Sequence, residues 1–252
     1  MPKTSGLGDN FYIGGYDLSG DVANLSRIGG GPGALDLTPI NASAYVRLGG
    51  VRDGSIDFTT FMDVTGSPPY AEHTALSPLP TADVIATYFR GTAIGNDAAS
   101  CVAKQVNYDW TRGQDGALTG TVQCTANGSG LEWGTQLTPG RRVDGSATAA
   151  GAGNSYDTGG SLAFGAQMYV QLFAFSGTSV TISLWDSADN SSFLAVASLT
   201  TSALTSANQA ARITIANNAT VRRYIAVATA GTFTNADFAV QVTKNPIAGV
   251  VF

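Results

Sequence analysis

The chain has 252 residues, with 13 Lys or Arg against 18 Asp or Glu, a formal charge of −5 that excludes a surface built to neutralise nucleic-acid phosphates. A hydrophobic content of 44% excludes wholesale disorder. Charged residues make up only 12%, about half the usual share, while 31 glycines are present, so Ser, Thr, Asn, Gln and Gly must cover most of the surface.

Helix-favouring charges are scarce, since Glu72 and Glu132 are the only glutamates and Lys3, Lys104 and Lys244 the only lysines. The opening Met1–Gly6 carries no apolar signal core. Strands are predicted at 11–13, 16–25, 55–62, 84–89, 101–108, 118–126 and 131–137, with a hairpin loop at Thr111–Ala117. Between them, Arg27–Asp53 reads as a long Gly-rich loop holding one helical turn at Asn41–Arg47. A second irregular stretch, Asp63–Thr81, carries four prolines around a short helix at Tyr70–Leu76. Residues 146–160, rich in Ala, Gly and Ser, read as a flexible linker, dividing the chain into residues 1–145 and 161–252.

The last third alternates with period two. Val180, Ile182 and Leu184 alternate with Thr181, Ser183 and Trp185, and Phe238, Val240 and Val242 with Ala239, Gln241 and Thr243. Turns are predicted at Ser176–Thr178, Asp186–Asn190 and Ala230–Gly231, giving about six strands of a sandwich or jelly roll. The uncharged run before Asp186 is not a membrane helix, because its apolar part, Leu162–Phe175, is shorter than the ~20 residues needed and includes Gln167 and Gln171.

Catalytic chemistry has little to stand on. His73 is the only histidine, no serine or cysteine sits in a nucleophile-elbow pattern, and His73 reads as an exposed loop residue. One imidazole with Cys101 and Cys124 falls short of a four-ligand zinc site, and the two thiols read as buried, although a cross-strand disulfide is geometrically conceivable. Gly29–Gly33 lacks the residues of a phosphate or dinucleotide loop, and Asp186 with Asp189 reads as a β-turn, not a calcium loop. No catalytic residue, cofactor or metal ligand is expected. Arg141-Arg142 and Arg222-Arg223 read as solvated or subunit-contact pairs.

Gly6–Ile13 followed by Tyr16–Asp21 resembles the start of the tail tube (major tail) proteins of long-tailed bacteriophages of the siphophage type. Leu35-Asp36-Leu37-Thr38 followed by Gly49–Phe58 is similar to another run of that family, and the order of 102–108, hairpin and 130–134 matches as well. Trp185–Asn190 and Arg222-Arg223-Tyr224 resemble a β-sandwich half at the end of some such proteins. The resemblance implies an all-β fold: a tail-tube-type β-sandwich with a short helix, then a C-terminal β-sandwich or jelly-roll-like domain. It implies a structural virion protein, not an enzyme, whose hexameric rings stack into the conduit for genome delivery. Its partners would be copies of itself, the tape-measure protein and tail-end proteins, with double-stranded DNA crossing an acid-lined lumen without specific binding and no membrane involved. It would be assembled in the host cytoplasm and reside in the phage tail. The Arg27–Asp53 segment suits an inter-ring contact that orders only on stacking, with Arg27, Leu35, Asp36, Arg47, Arg52 and Asp53 as candidate contact residues.

Two other functions compete. A virion adhesin or carbohydrate-binding sandwich could stack sugars on Trp110, Trp133, Trp185, Tyr70 or Tyr169. A β-sandwich hydrolase would need paired carboxylates that no motif marks.

Overall fold

Leu118–Ala126 shows why this chain forms sheets: Gly120, Val122 and Cys124 are buried while Thr121 and Gln123 between them face solvent. The computed structural model describes residues 5–64 and 71–248. Its first part comprises β1 (Asn10–Ile13), β2 (Tyr16–Asp17), β3 (Val22–Asp36), β4 (Arg47–Phe61), α1 (Glu72–Leu76), β5 (Val84–Phe89), β6 (Asp97–Gln105), β7 (Asp109–Arg112), β8 (Leu118–Ala126) and β9 (Glu132–Gln136). Gly14 and Gly15, both at positive φ, turn β1 tightly into β2. The expected helix is α1, and Tyr70 lies outside the described residues.

Strand β6 is the hub of this part. It bonds β5 along one edge and both β8 and β9 along the other, and its buried run Ala98-Ala99-Ser100-Cys101 is small because both faces are covered. Phe11, Ile13, Leu18, Ile56, Phe58, Leu76 and Val122 pack with Cys101 and Cys124 into the first core. Cys101 lies opposite Ala86, whereas Cys124 lies opposite Ile56 and Gln105, so the thiols are not cross-strand partners. Both are free and buried, and burial pushes Cys101 up to about 12 and raises Cys124 as well.

The second part comprises β10 (Arg142–Asp144), a 3₁₀ turn at Ala152–Asn154, β11 (Ser155–Asp157), β12 (Ala166–Ser187), β13 (Leu194–Thr200), β14 (Gln209–Thr214) and β15 (Tyr224–Lys244). The turns expected at Ser176–Thr178 and Ala230–Gly231 are absent. Instead β12 and β15 pair from Ala166↔Lys244 to Ser187↔Tyr224, with register shifts around Gly177. Gly177 and Gly231 both have positive φ, and a Cβ on either would meet backbone of the opposite strand at 2.4 and 2.2 Å. Side chains from both halves of the ribbon, such as Val170 and Ile182 of β12, share the second core, so the ribbon folds over itself into two layers. Strand β14 extends one half and β13 the other. The 146–160 stretch, expected to be a flexible linker, is bonded to β15: Thr148 bridges Thr229, and β11 pairs with Ala226–Tyr224.

All fifteen strands join one antiparallel network, because β9 bonds β6 on one side and β15 on the other. The architecture is therefore all-β, as expected, and no helix among the described residues is long and apolar enough to cross a membrane. Between the two cores lie Tyr12, Phe89, Ala98, Phe173 and Ala239. Arg141 stacks over Phe173 at 4.9 Å, reaches Asp17 at 3.0 Å and also pairs with Asp237. Gln171 adds a polar bridge, accepting from the Gly15 amide at 2.7 Å and donating to the Ile85 carbonyl at 2.9 Å. Replacing Arg141 by Ala leaves two largely buried carboxylates without their cation, and thermal or urea unfolding should show a loss of about 3 kcal/mol.

Candidate functional site

Arg27–Asp53 is a ribbon, not an irregular loop: β3 and β4 pair from Val22↔Thr60 to Asp36↔Arg47, and no helical turn forms at Asn41–Arg47. Glycine and proline hid it, since Gly29-Gly30-Gly31-Pro32-Gly33 has no side-chain alternation to read. Ser55–Phe61 of β4 bond β8, which anchors the ribbon, whereas Arg47–Gly54 pair only with β3. The unanchored part spans about 25 Å at the usual rise per residue. Glycine is required at its root, because a Cβ on Gly54 would lie 2.6 Å from the Leu131 backbone and one on Gly30 would lie 2.3 Å from the Asp53 carbonyl.

The tip is closed by side chain and backbone together. Asp36 accepts from the Thr38 amide at 3.0 Å and hydroxyl at 2.5 Å, which holds its carboxyl below the usual range. Thr38 Oγ1 in turn accepts the Val46 amide at 2.9 Å, and Arg47 lies over the Tyr45 ring at 4.7 Å. Leu35, Asp36 and Arg47 therefore meet at the tip, with Leu35 opposite Leu48. Arg52 and Asp53 stand nearer the root opposite Pro32 and Gly31, while Arg27 lies apart, opposite Asp57 on the anchored section. Sequence reading missed the ribbon's apolar residues Leu37, Ile40, Tyr45, Val46, Leu48 and Val51, which all face solvent, Val51 at 88% exposure. The available signal was the density of large apolar residues within a segment too Gly-rich to form a core.

Outside β3 itself, its second edge has no strand partner among the described residues. The ribbon thus offers unpaired backbone groups along one edge and apolar side chains at its end, a combination suited to contact and not to bond-making chemistry.

Titratable groups elsewhere mostly serve the fold. His73 is on α1, half-buried instead of free in a loop, with Nδ1 2.8 Å from the Tyr108 hydroxyl. The basic pairs bond within the chain: Arg142 holds Asp144 at 2.8 Å and Arg222 Nε reaches Asp186 at 2.7 Å, both shielded from solvent, whereas Arg223 Nη2 reaches Asp157 at 2.7 Å and stays solvent-exposed, as expected. Asp189 caps the Ser191 and Ser192 amides at 3.0 and 2.9 Å, the expected turn. Among the described residues no group of three or more His, Cys, Asp or Glu is placed to hold a metal.

Glu72 is the exception. It is fully buried, Oε2 accepts from Tyr108 at 3.3 Å, and Oε1 has no hydrogen-bond partner among the described residues. Burial pushes its carboxyl up to about 7; the bonds from Tyr108 and the Asp63 backbone oppose this, while the charges of Asp21 and Asp63 add to it.

No family model and no curated protein matches the chain. Among solved structures it is similar to the SPP1 Dit protein, described as a paradigm of the hub adsorption apparatus in phages infecting Gram-positive hosts, with 14% identity, TM-score 0.33, and coverage of 93% of this chain and 98% of that one. It is also similar to a chain of the phage p2 baseplate in its activated conformation with Sr, with 10% identity, TM-score 0.31, and coverage of 95% and 99%. Likeness at this level assigns neither family nor activity.

The folded state holds the Glu72 proton more tightly than the unfolded chain, where the carboxyl ionises near 4.5, so stability is greatest below that pH and falls as pH rises towards about 7. Urea unfolding from pH 5 to 8 should show a decline of about 2 kcal/mol, and Glu72→Gln should flatten it.

Proposed function

We propose that this protein is a structural component of a phage tail that works by associating with copies of itself, forming stacked rings around a lumen through which the genome passes. The projecting β3–β4 ribbon carries the reading. An open strand edge next to exposed Leu35, Tyr45, Leu48 and Val51 is an aggregation hazard in a lone subunit and an asset in an ordered assembly. A head-to-tail contact that closes makes a ring, and a second contact that does not close stacks the rings. Six copies per ring follow from the sequence resemblance to tail tube proteins, as do the tape-measure and tail-end partners.

In this reading Leu35, Asp36 and Arg47 at the tip and Arg52 and Asp53 near the root contact the next subunit, and Arg27 supports the ribbon's anchored section. The ribbon is already paired within the single chain, so this contact is preformed and does not await the neighbour to become ordered. The net charge of −5 per copy accumulates around a ring and repels a polyanion from its wall, which favours transit over retention. A division into two parts, proposed at residues 1–145 and 161–252, is supported by two separate apolar clusters, with Leu137 packing in the second and β10 (Arg142–Asp144) pairing with β15.

No core side chain lies between positions 29 and 55, so the ribbon can be altered without unfolding either core. The wild-type chain should form rings or tubes visible by negative-stain electron microscopy as concentration rises. A Tyr45→Asp, Val51→Asp variant should keep its melting temperature within a few degrees and sediment as a single copy. Unchanged tubes from that variant would refute the ribbon's role.

A further inference from the structure

Only one of the tryptophans is largely solvent-exposed: Trp133 of β9, at 52%. Trp110 is half-buried against Tyr108 at 5.2 Å, Trp185 donates its indole N–H to Ser183 at 2.9 Å, and Tyr169 is buried with its hydroxyl on Glu132 at 2.7 Å. Tyr70 lies outside the described residues.

Trp133 borders a cleft of about 320 Å³, at the small end of the range for ligand sites, between β9 and the segment that includes Thr158 and Leu162. Thr135 lies two residues along on the same face of β9, opposite Val242, while Val242, Ile225 and Leu162 give the cleft an apolar floor. Neither the Trp133 indole N–H nor the Thr135 hydroxyl makes a hydrogen bond among the described residues, so a donor and a donor–acceptor stand free beside a flat aromatic face.

Charge narrows the ligand further. Among the described residues Lys244 is the only ionisable one lining the cleft, and its three N–H groups are already given to Thr158 Oγ1 at 2.8 Å, the Gly160 carbonyl at 2.8 Å and the Arg222 carbonyl at 3.0 Å. Burial lowers this amine to about 8, so its charge is weakly held as well as fully engaged. No cationic donor remains to grip a phosphate or carboxylate, and among the described residues no carboxylate lines the wall to hold a cation. We propose that the cleft is a subsite for one neutral saccharide residue, its C–H face stacked on Trp133 and a hydroxyl bonded to Thr135. This assignment is independent of the assembly reading above.

The full chain is titrated with glucose, galactose and N-acetylglucosamine, with glycerol as a control, following the indole N–H resonance that disappears in Trp133→Tyr. At least one sugar should shift that resonance saturably with millimolar affinity, glycerol should not, and Trp133→Ala should weaken binding about tenfold with an unchanged melting temperature. Trp133→Tyr, which keeps a stacking face, should retain most of the affinity by isothermal titration, and Thr135→Val should lose several-fold. Absence of saturation with every sugar, an equal response to glycerol, or full affinity in Trp133→Ala would overturn the proposal. So would a Trp133→Ala variant that loses self-association while sugars have no effect on the wild type, which would make the cleft a protein contact.

Discussion

Backbone hydrogen-bonding capacity organises this molecule. Strand β6 uses both of its edges, and β9 uses both of its own to tie β6 to β15, so the two halves share one ladder. A residue-level consequence is that the junction contains glutamine, serine and threonine as well as apolar side chains. Ser100 bonds Thr87 at 2.9 Å and Gln241 at 2.6 Å, and Gln241 donates to the Glu132 carbonyl at 2.9 Å. Ser100, Thr87 and Gln241 are tolerated there because each finds a partner fixed by the surrounding strands. Strand β3 departs from this economy, with one edge bonded and the other open, and the functional reading rests on that departure.

The charges follow a related logic. In a chain with few ions, all five arginines of the second half are committed to ion pairs within the chain: Arg141 to Asp17 and Asp237, Arg142 to Asp144, Arg212 to Glu132, Arg222 to Asp186 and Arg223 to Asp157. Several of these pairs are shielded from solvent, where geometry decides whether they stabilise, and Arg212 also bonds the Tyr169 hydroxyl at 2.9 Å. The exposed surface of the second half is left with Arg223, Asp157 and Asp189 among hydroxyls, amides and scattered apolar groups. Contacts made by that surface would depend on shape and burial more than on long-range attraction.

What could be read from the sequence was whatever side-chain alternation records. Leu118–Ala126 was legible to the residue because it places apolar groups at every second position, and Val84–Phe89 because it is a short, nearly continuous apolar run bounded by polar residues. Gly29–Gly33 was not, since residues without side chains carry no period and the same glycines serve loops and ribbons alike. Gly177 and Gly231 were misread for a related reason: a bulge and a turn both call for positive φ, and only the ladder between β12 and β15 distinguishes them. Glu72 and Tyr108 meet across 36 residues, and the exposure of Trp133 depends on β9 lying between two other strands, so neither site had a local signature.

The ribbon's freedom from either core also sets a rule for how its reach can change through descent. Insertions or losses of matched pairs on β3 and β4 would lengthen or shorten it in steps of about 7 Å while keeping every side chain on its original face. A single added residue on one strand would reverse inside and outside beyond that point unless a bulge absorbed it. Related chains should therefore differ here by even counts, with odd differences marked by a kink.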